Sequence, residues 1–314
     1  MRSRYEENTL MLSFRLAVYL VCLVPTFLSA VLESQNPPAS HTQVVILGSG
    51  NPVANPDAWG PAVAIVVNGA AYLVDCGPGV VRRAAAAEQK GIASLKARSL
   101  KYVFITHLHS DHTLGYPDLI FSPWVLGREE PLQAYGPRGL ASMTEHIEKA
   151  WEKDIDIRTN GLGHGNRTGY KVQVHEVEPG VVFKDNNVSV RAFPVRHGSW
   201  DQAFGYRFDT ADRSIVISGD TSPTDEVVKA CHGCDVLLHE AYSEASYAAQ
   251  SPERQKYMRS FHTSTAEAGK LAAQAKPHLL VLYHYGGSDH EGRVREVKQY
   301  FDGDAVSARD LDVY

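Results

Sequence analysis

The chain has no excess of basic charge. Its 314 residues include 31 Lys and Arg against 36 Asp and Glu, a formal net charge of −5. That weighs against a dedicated nucleic-acid binder, which usually turns a basic face to the phosphates. No internal repeat is visible, and no Pro/Gly/Ser-rich linker divides the chain. Cysteine is scarce, with four residues, of which Cys76, Cys231 and Cys234 lie beyond the N-terminal region. Cys231-His232-Gly233-Cys234 has C-x-x-C spacing. A zinc knuckle would need a second pair, so the motif is either a local disulfide or two ordinary thiols.

An apolar run of bilayer length is also missing. Leu16–Leu28 is apolar apart from Pro25 and Thr26, but its ~13 residues are too few to span a membrane comfortably. Arg2, Arg4 and Arg15 precede it, and the small residues Ser29 and Ala30 follow. This is the pattern of a secretory signal peptide, with an uncleaved N-terminal anchor as the alternative. The expectation is residues 1–30 as signal or anchor, an exported protein, no further integral membrane segment, and one domain over residues 40–314.

What is present is histidine, fourteen residues in all, and short apolar strands alternating with helical stretches. Gln43–Leu47 reads as a strand. Ala62–Val67 and Ala71–Val74 read as a hairpin across Asn68-Gly69. The Asp75-Cys76-Gly77-Pro78-Gly79 stretch punctuates the chain, and Val80–Gln89 reads as a helix. Leu100–Thr106, Val172–Val177, Val188–Phe193, Phe204–Asp209, Ser214–Ser218, Asp235–Leu238 and His278–Tyr283 read as strands. Ser264–Lys276 is the clearest helix, with a Ser264/Glu267 capping box and Pro277 as its stop. Mixed strands and helices over this length predict an α/β fold in which two sheets stack between helices.

Five of these strands end in metal-ligating chemistry. His107, His109, Asp111 and His112 follow Leu100–Thr106, and His197 follows the strand through Phe193. Asp220 follows Ser214–Ser218, His239-Glu240 follows Asp235–Leu238, and His284 follows His278–Tyr283. Open α/β sheets gather their sites at such ends. One histidine there is commonplace, whereas five coincidences point to a site. The spacing lets His107, His109, His197 and Asp220 hold one cation. Asp111, His112, His284 and Asp220 would hold a second, with Asp220 as the bridge. The nitrogen and oxygen donors suit zinc, and also manganese or iron.

The H-x-H-x-D-H loop with later His, Asp and His resembles the metallo-β-lactamase superfamily. Its ribonuclease Z and arylsulfatase-like branch is the closer likeness. Leu47-Gly48-Ser49-Gly50 resembles that branch's opening glycine turn, and Ser218-Gly219-Asp220-Thr221 its bridging-aspartate motif. His239-Glu240-Ala241 resembles its HEAT motif, with Tyr242 in place of Thr. His262-Thr263-Ser264-Thr265 resembles its HST motif, with one extra residue. The likeness runs from about Gln43 to Gly286. It implies an αββα sandwich of two mixed sheets flanked by helices, two divalent ions, and a homodimer as one assembly state. It also implies that His262 protonates the leaving oxygen while Glu240 orients it. Asp111, Glu240 and His262 are the candidate catalytic residues.

Ribonuclease Z carries a tRNA-gripping arm between the counterparts of His197 and Asp220, and here only one hairpin fills that interval. With the acidic balance and the signal-like N-terminus, this favours a small sulfate or phosphate ester as substrate. The alternatives are a ribonuclease Z-like nuclease, a β-lactamase or lactonase, and a non-catalytic metal-binding protein. Residues 113–185 are expected to roof the pocket. Tyr116, Trp124, Tyr135 and Trp151 would stack on an aryl group or, as a competing role, pack the core. His239 and His290 are weaker candidates, a packed neighbour and a pocket-lining residue respectively.

Overall fold

Ala62–Val67, with the sequence AVAIVV, is buried at every position. A strand with no polar face must be covered on both sides, and that requirement sets the architecture. The computed structural model describes residues 42–314; the expected signal segment, residues 1–30, lies outside the described residues. The first sheet consists of β1 (Gln43–Gly48), β2 (Ala62–Val67), β3 (Ala70–Val74), β4 (Tyr102–Phe104), β5 (Leu132–Gly136) and β6 (Val172–Glu176), in that spatial order. The second consists of β7 (Gly180–Lys184), β8 (Ser189–Pro194), β9 (Phe204–Asp209), β10 (Ser214–Ile217), β11 (Val236–Glu240), β12 (Leu279–Tyr283) and β13 (Asp304–Ser307). Both are mixed. Antiparallel hairpins occupy one flank of each, and β3 to β6 and β10 to β13 run parallel.

The helices are α1 (Val80–Gln89), α2 (Ser110–Thr113), α3 (Tyr116–Val125), α4 (Leu140–Ala150), α5 (Glu152–Asn160), α6 (Asp225–Cys231), α7 (Glu244–Ala248), α8 (Pro252–Phe261), α9 (Thr265–Ala275) and α10 (His290–Val297). Strand periodicity sorts the apolar residues into three cores. Val45, Leu47, Ala64 and Leu73 face α1, α3 and α4. Their neighbours Val44, Ile46, Ile65 and Tyr72 meet Phe204, Ile217, Leu238 and Val281 between the two sheets. Leu237, Leu280 and Leu282 meet Val227, Ala268, Ala272 and Val297 on the far side. The result is the expected αββα sandwich.

Three local details bear on the sequence reading. The strand expected over Leu100–Thr106 shortens to β4. Thr106 leaves the ladder because its amide and hydroxyl both bond the carboxylate of Asp75. The capping box of α9 forms as expected, with Ser264 and Glu267 each satisfying the other's backbone amide. The C-x-x-C motif forms a disulfide between Cys231 and Cys234, at the end of α6. Among the described residues no helix is long and apolar enough to cross a membrane.

Candidate metal centre

The site is assembled by strand direction. β10, β11 and β12 are parallel, and β8 points the same way because β9 runs antiparallel to both its neighbours. Their C-terminal ends therefore lie along one edge, which receives His197, Asp220, Glu240 and His284. The loop after β4 brings His107 to His112 from the facing sheet. Gly219 makes the turn into Asp220 with φ +62°, and a Cβ there would lie 2.9 Å from Phe204 O and Thr106 Cβ. A side chain at this position would be strained as well as crowded. His284 itself holds φ +56°, a conformation costly for a non-glycine residue that surrounding contacts must enforce.

Three overlapping groups of ligating atoms result. His107, His109, His197 and Asp220 form the first, Asp111, His112 and His284 the second, and Asp220, His262 and His284 the third; within each group the atoms lie within 4.8 Å of one another. His109 Nδ1 is 3.0 Å from His107 Nε2 and 3.0 Å from His197 Nε2. His284 Nε2 lies 3.2 Å from His112 Nε2 and 3.2 Å from Asp111 Oδ2. Asp220 joins the groups, with Oδ2 3.4 Å from His112 Nε2 and 3.3 Å from His284 Nε2.

The outer nitrogens are engaged elsewhere. His112 Nδ1 donates to Asp75 Oδ2 at 2.8 Å, and His197 Nδ1 donates to the Phe261 carbonyl at 2.8 Å. His107 Nδ1 pairs with the Thr106 hydroxyl at 3.0 Å, and the indole nitrogen of Trp200 lies 2.9 Å from His109 Nε2. The partners of His107, His112 and His197 fix ring orientation and leave the inner nitrogen for a cation, whereas Trp200 donates to His109 and anchors that ring through its Nε2. Asp75 is in turn locked by Thr106.

These residues fit divalent metal. Asp220 Oδ1 is buried without a hydrogen-bond partner, which is costly unless a cation meets it. Burial holds His107 and His109 below the ordinary histidine range and brings His197 down to about 4, so all three offer neutral lone pairs, as metal binding requires. Burial works against ionisation of Asp220, yet His284 and His112 outweigh it and keep the carboxylate charged.

Beside this centre, His262 Nδ1 donates to Glu240 Oε1 at 2.9 Å, and the same oxygen accepts from the Thr221 amide at 3.0 Å. Burial alone would depress His262, but the charges of Glu240 and Asp220 prevail and raise it to about 9. His262 is therefore protonated at neutral pH. With Nδ1 committed to Glu240, its proton on Nε2 is the one available to a ligand.

A cavity of about 440 Å³ opens over Asp111, Asp220, Glu240, His262 and His284. None of residues 113–185 lines it. The expected roof is replaced by residues 242–258, including α7 and part of α8, together with residues 51–53 and 284–287. Tyr116, Trp124 and Tyr135 are buried in the cores, and Trp151 stacks on Phe121. Tyr116 and Trp124 belong to the core between the first sheet and its helices, and Tyr135 to the core between the two sheets. His290 bonds Ser307 rather than lining the cavity, and His239 is a packed neighbour whose Nδ1 meets the Glu240 carbonyl. Asp75 and Trp200 were not anticipated. Asp75 had a usable signal, since it too directly follows a strand; Trp200 had none.

Comparison with known proteins agrees with this geometry. The family model described as "Beta-lactamase superfamily domain" matches residues 71–285. Ribonuclease Z of Mycobacterium sp. strain KMS is 36% identical over 246 residues, 77% of this chain and 84% of that protein. Ribonuclease Z of Mycobacterium bovis strain BCG Pasteur is 32% identical over 247 residues, 77% and 85% of the two chains. The crystal structure of the short form of human tRNase Z superposes with TM-score 0.65 at 26% identity, covering 87% of this chain and 98% of that one. A metallo-β-lactamase fold protein from Bacillus subtilis gives TM-score 0.68 at 18% identity over 87% and 98%, a likeness of fold alone.

Proposed function

Since the chain belongs to the metallo-β-lactamase superfamily and to its ribonuclease Z branch, we propose that it hydrolyses phosphodiester bonds of nucleic acids or their fragments. It is a metal-dependent hydrolase of ester bonds; the bond and substrate are the proposal. The observation that carries it is the 2.9 Å hydrogen bond from His262 to Glu240 beside the ligand cluster. A proton held at that point serves a reaction that expels an alkoxide. Relatives named ribonuclease Z, similar over 77% of this chain, support a nucleic-acid phosphodiester over the small sulfate or phosphate ester expected from sequence.

His107, His109, His197 and Asp220 would hold one divalent ion, and Asp111, His112, His284 and Asp220 a second, with zinc favoured by the nitrogen donors. Such ions supply Lewis-acid stabilisation of the phosphoryl oxygens and a more acidic water. The chain's own residues do the rest. Asp75, Thr106 and the Phe261 carbonyl keep the imidazoles aimed inward. Glu240 holds His262 protonated and oriented, and His262 delivers its proton to the departing oxygen.

A second reading, a small phosphate or sulfate ester, is favoured by one observation. Between His197 and Asp220 the chain forms only the β9–β10 hairpin, with no inserted arm to grip a folded RNA. Export remains part of the proposal, supported by the Cys231–Cys234 disulfide, since such bonds persist mainly in oxidising compartments. The test is a panel of bis(p-nitrophenyl) phosphate, p-nitrophenyl sulfate, a chromogenic β-lactam and short single-stranded RNA, each with the metal-loaded protein. Turnover of the phosphodiester and the RNA supports the first reading. Sulfate turnover without either overturns it in favour of the second.

A further inference from the structure

The cavity is asymmetric in charge. Its acidic residues, Asp111, Asp220 and Glu240, sit at the metal centre, whereas Arg254 is the only Lys or Arg among the lining residues. Arg254 projects from the first turn of α8. Its guanidinium carbon lies 4.6 Å from the centroid of the Tyr257 ring, and that ring lies 6.0 Å from the His262 ring. Among the described residues no carboxylate pairs with Arg254. A guanidinium stacked on an aromatic face and lacking an acidic partner is pre-oriented for an incoming anion, which it can bind through two parallel hydrogen bonds.

The position of His262 says which part of a substrate reaches it. The general acid must face the oxygen that departs, so whatever is attached to that oxygen extends past His262, towards Tyr257 and Arg254. We propose that Tyr257 and Arg254 form a recognition subsite for the leaving alcohol, selecting one that carries a second phosphate. In a nucleic-acid fragment cleaved at P–O3′ this alcohol is the 3′-hydroxyl of a nucleoside 5′-phosphate; Tyr257, stacked between Arg254 and Phe261, holds the guanidinium that meets its phosphate. This inference rests on the phosphodiesterase reading. Water attacks phosphorus, the P–O3′ bond breaks with its electron pair passing to O3′, and O3′ takes the proton of His262. One product ends in a 3′-hydroxyl, and the other keeps the phosphate on its 5′-oxygen.

The test compares kcat/KM for the dinucleotide UpU and its 5′-phosphorylated form pUpU, which differ only in the phosphate on the leaving side. Wild-type protein should favour pUpU on the order of tenfold, the scale of a charge-assisted pair of hydrogen bonds. Arg254→Gln should bring the ratio close to one, and Arg254→Lys should keep part of it. Because the ratio is internal, a loss common to both substrates does not imitate the effect. A wild-type enzyme indifferent to the 5′-phosphate, or an Arg254→Gln variant that retains the preference, overturns the subsite while leaving phosphodiester hydrolysis standing. Failure to cleave bis(p-nitrophenyl) phosphate and both dinucleotides refutes the phosphodiesterase reading, and the subsite with it.

Discussion

Nδ1 of His262 donates to Oε1 of Glu240 across 2.9 Å, from a ring that lines the cavity to a carboxylate buried beneath it. The pair belongs to two different segments, the end of β11 and the residue after α8. On the proposed function it would contribute chemistry that the metal ligands do not. His262→Ala should retain the bound metal and lose about 10²–10⁴ in rate on esters with alkyl leaving groups. Activated aryl esters, whose leaving group needs no proton, should slow far less. Equal losses on both classes would remove the general-acid role.

The same pair sets a pH limit. His262 is raised to about 9, its burial being outweighed by Glu240 and Asp220. A raised value means that the acid form is present at neutral pH and is lost as pH rises through about 9. The kcat of an alkyl phosphodiester should therefore fall on the alkaline side. Glu240→Gln removes the largest raising charge and should move that limb to lower pH. A pH–rate profile with an unmoved limb would assign it to another group.

Asp75 acts one layer out. Its bond to His112 Nδ1 and its lock by Thr106 fix the ring that faces Asp220 and His284. Asp75→Ala should weaken metal affinity roughly 10–100-fold, the usual scale for an outer-shell partner. Competition with a chelator of known affinity measures it directly, and undiminished affinity would contradict the role.

Arg128 tests the scaffold independently of the chemistry. It is 1% exposed and donates to the carbonyls of Leu100, Leu119, Ile120 and Gly169, tying α3 to the start of β4 and the β6 approach. Arg128→Met leaves these acceptors without their donor. It should cost about 3 kcal/mol or more, given 1–3 kcal/mol for each buried group left unsatisfied. Urea unfolding monitored by far-UV circular dichroism reads this cost.

The metal-ligand candidates were legible because of how parallel sheets are built. Strands covered on both faces appear as unbroken apolar, β-branched runs such as 215–217 in β10, and the residues just past their ends share one edge. His197, Asp220 and His284 could thus be placed together from sequence. Asp75 obeys the same rule at the end of β3, but beside Gly77, Pro78 and Gly79 it reads as a turn residue. The roof was misplaced because nothing local distinguishes α8, which reaches the cavity, from α3, which packs the first sheet. Trp200 and Arg128 act through long-range contacts, His109 for one and four carbonyls for the other, and such contacts leave no periodic trace in the chain.

The most direct test of the central claim is metal content by plasma mass spectrometry, measured with phosphodiester turnover on the same preparation. Wild-type protein is expected to hold two divalent ions per chain and to hydrolyse bis(p-nitrophenyl) phosphate. Asp220→Ala, which removes the carboxylate shared by both groups, should lose metal and activity together. Less than one tightly bound ion per wild-type chain, with no turnover of the ester, would contradict the account.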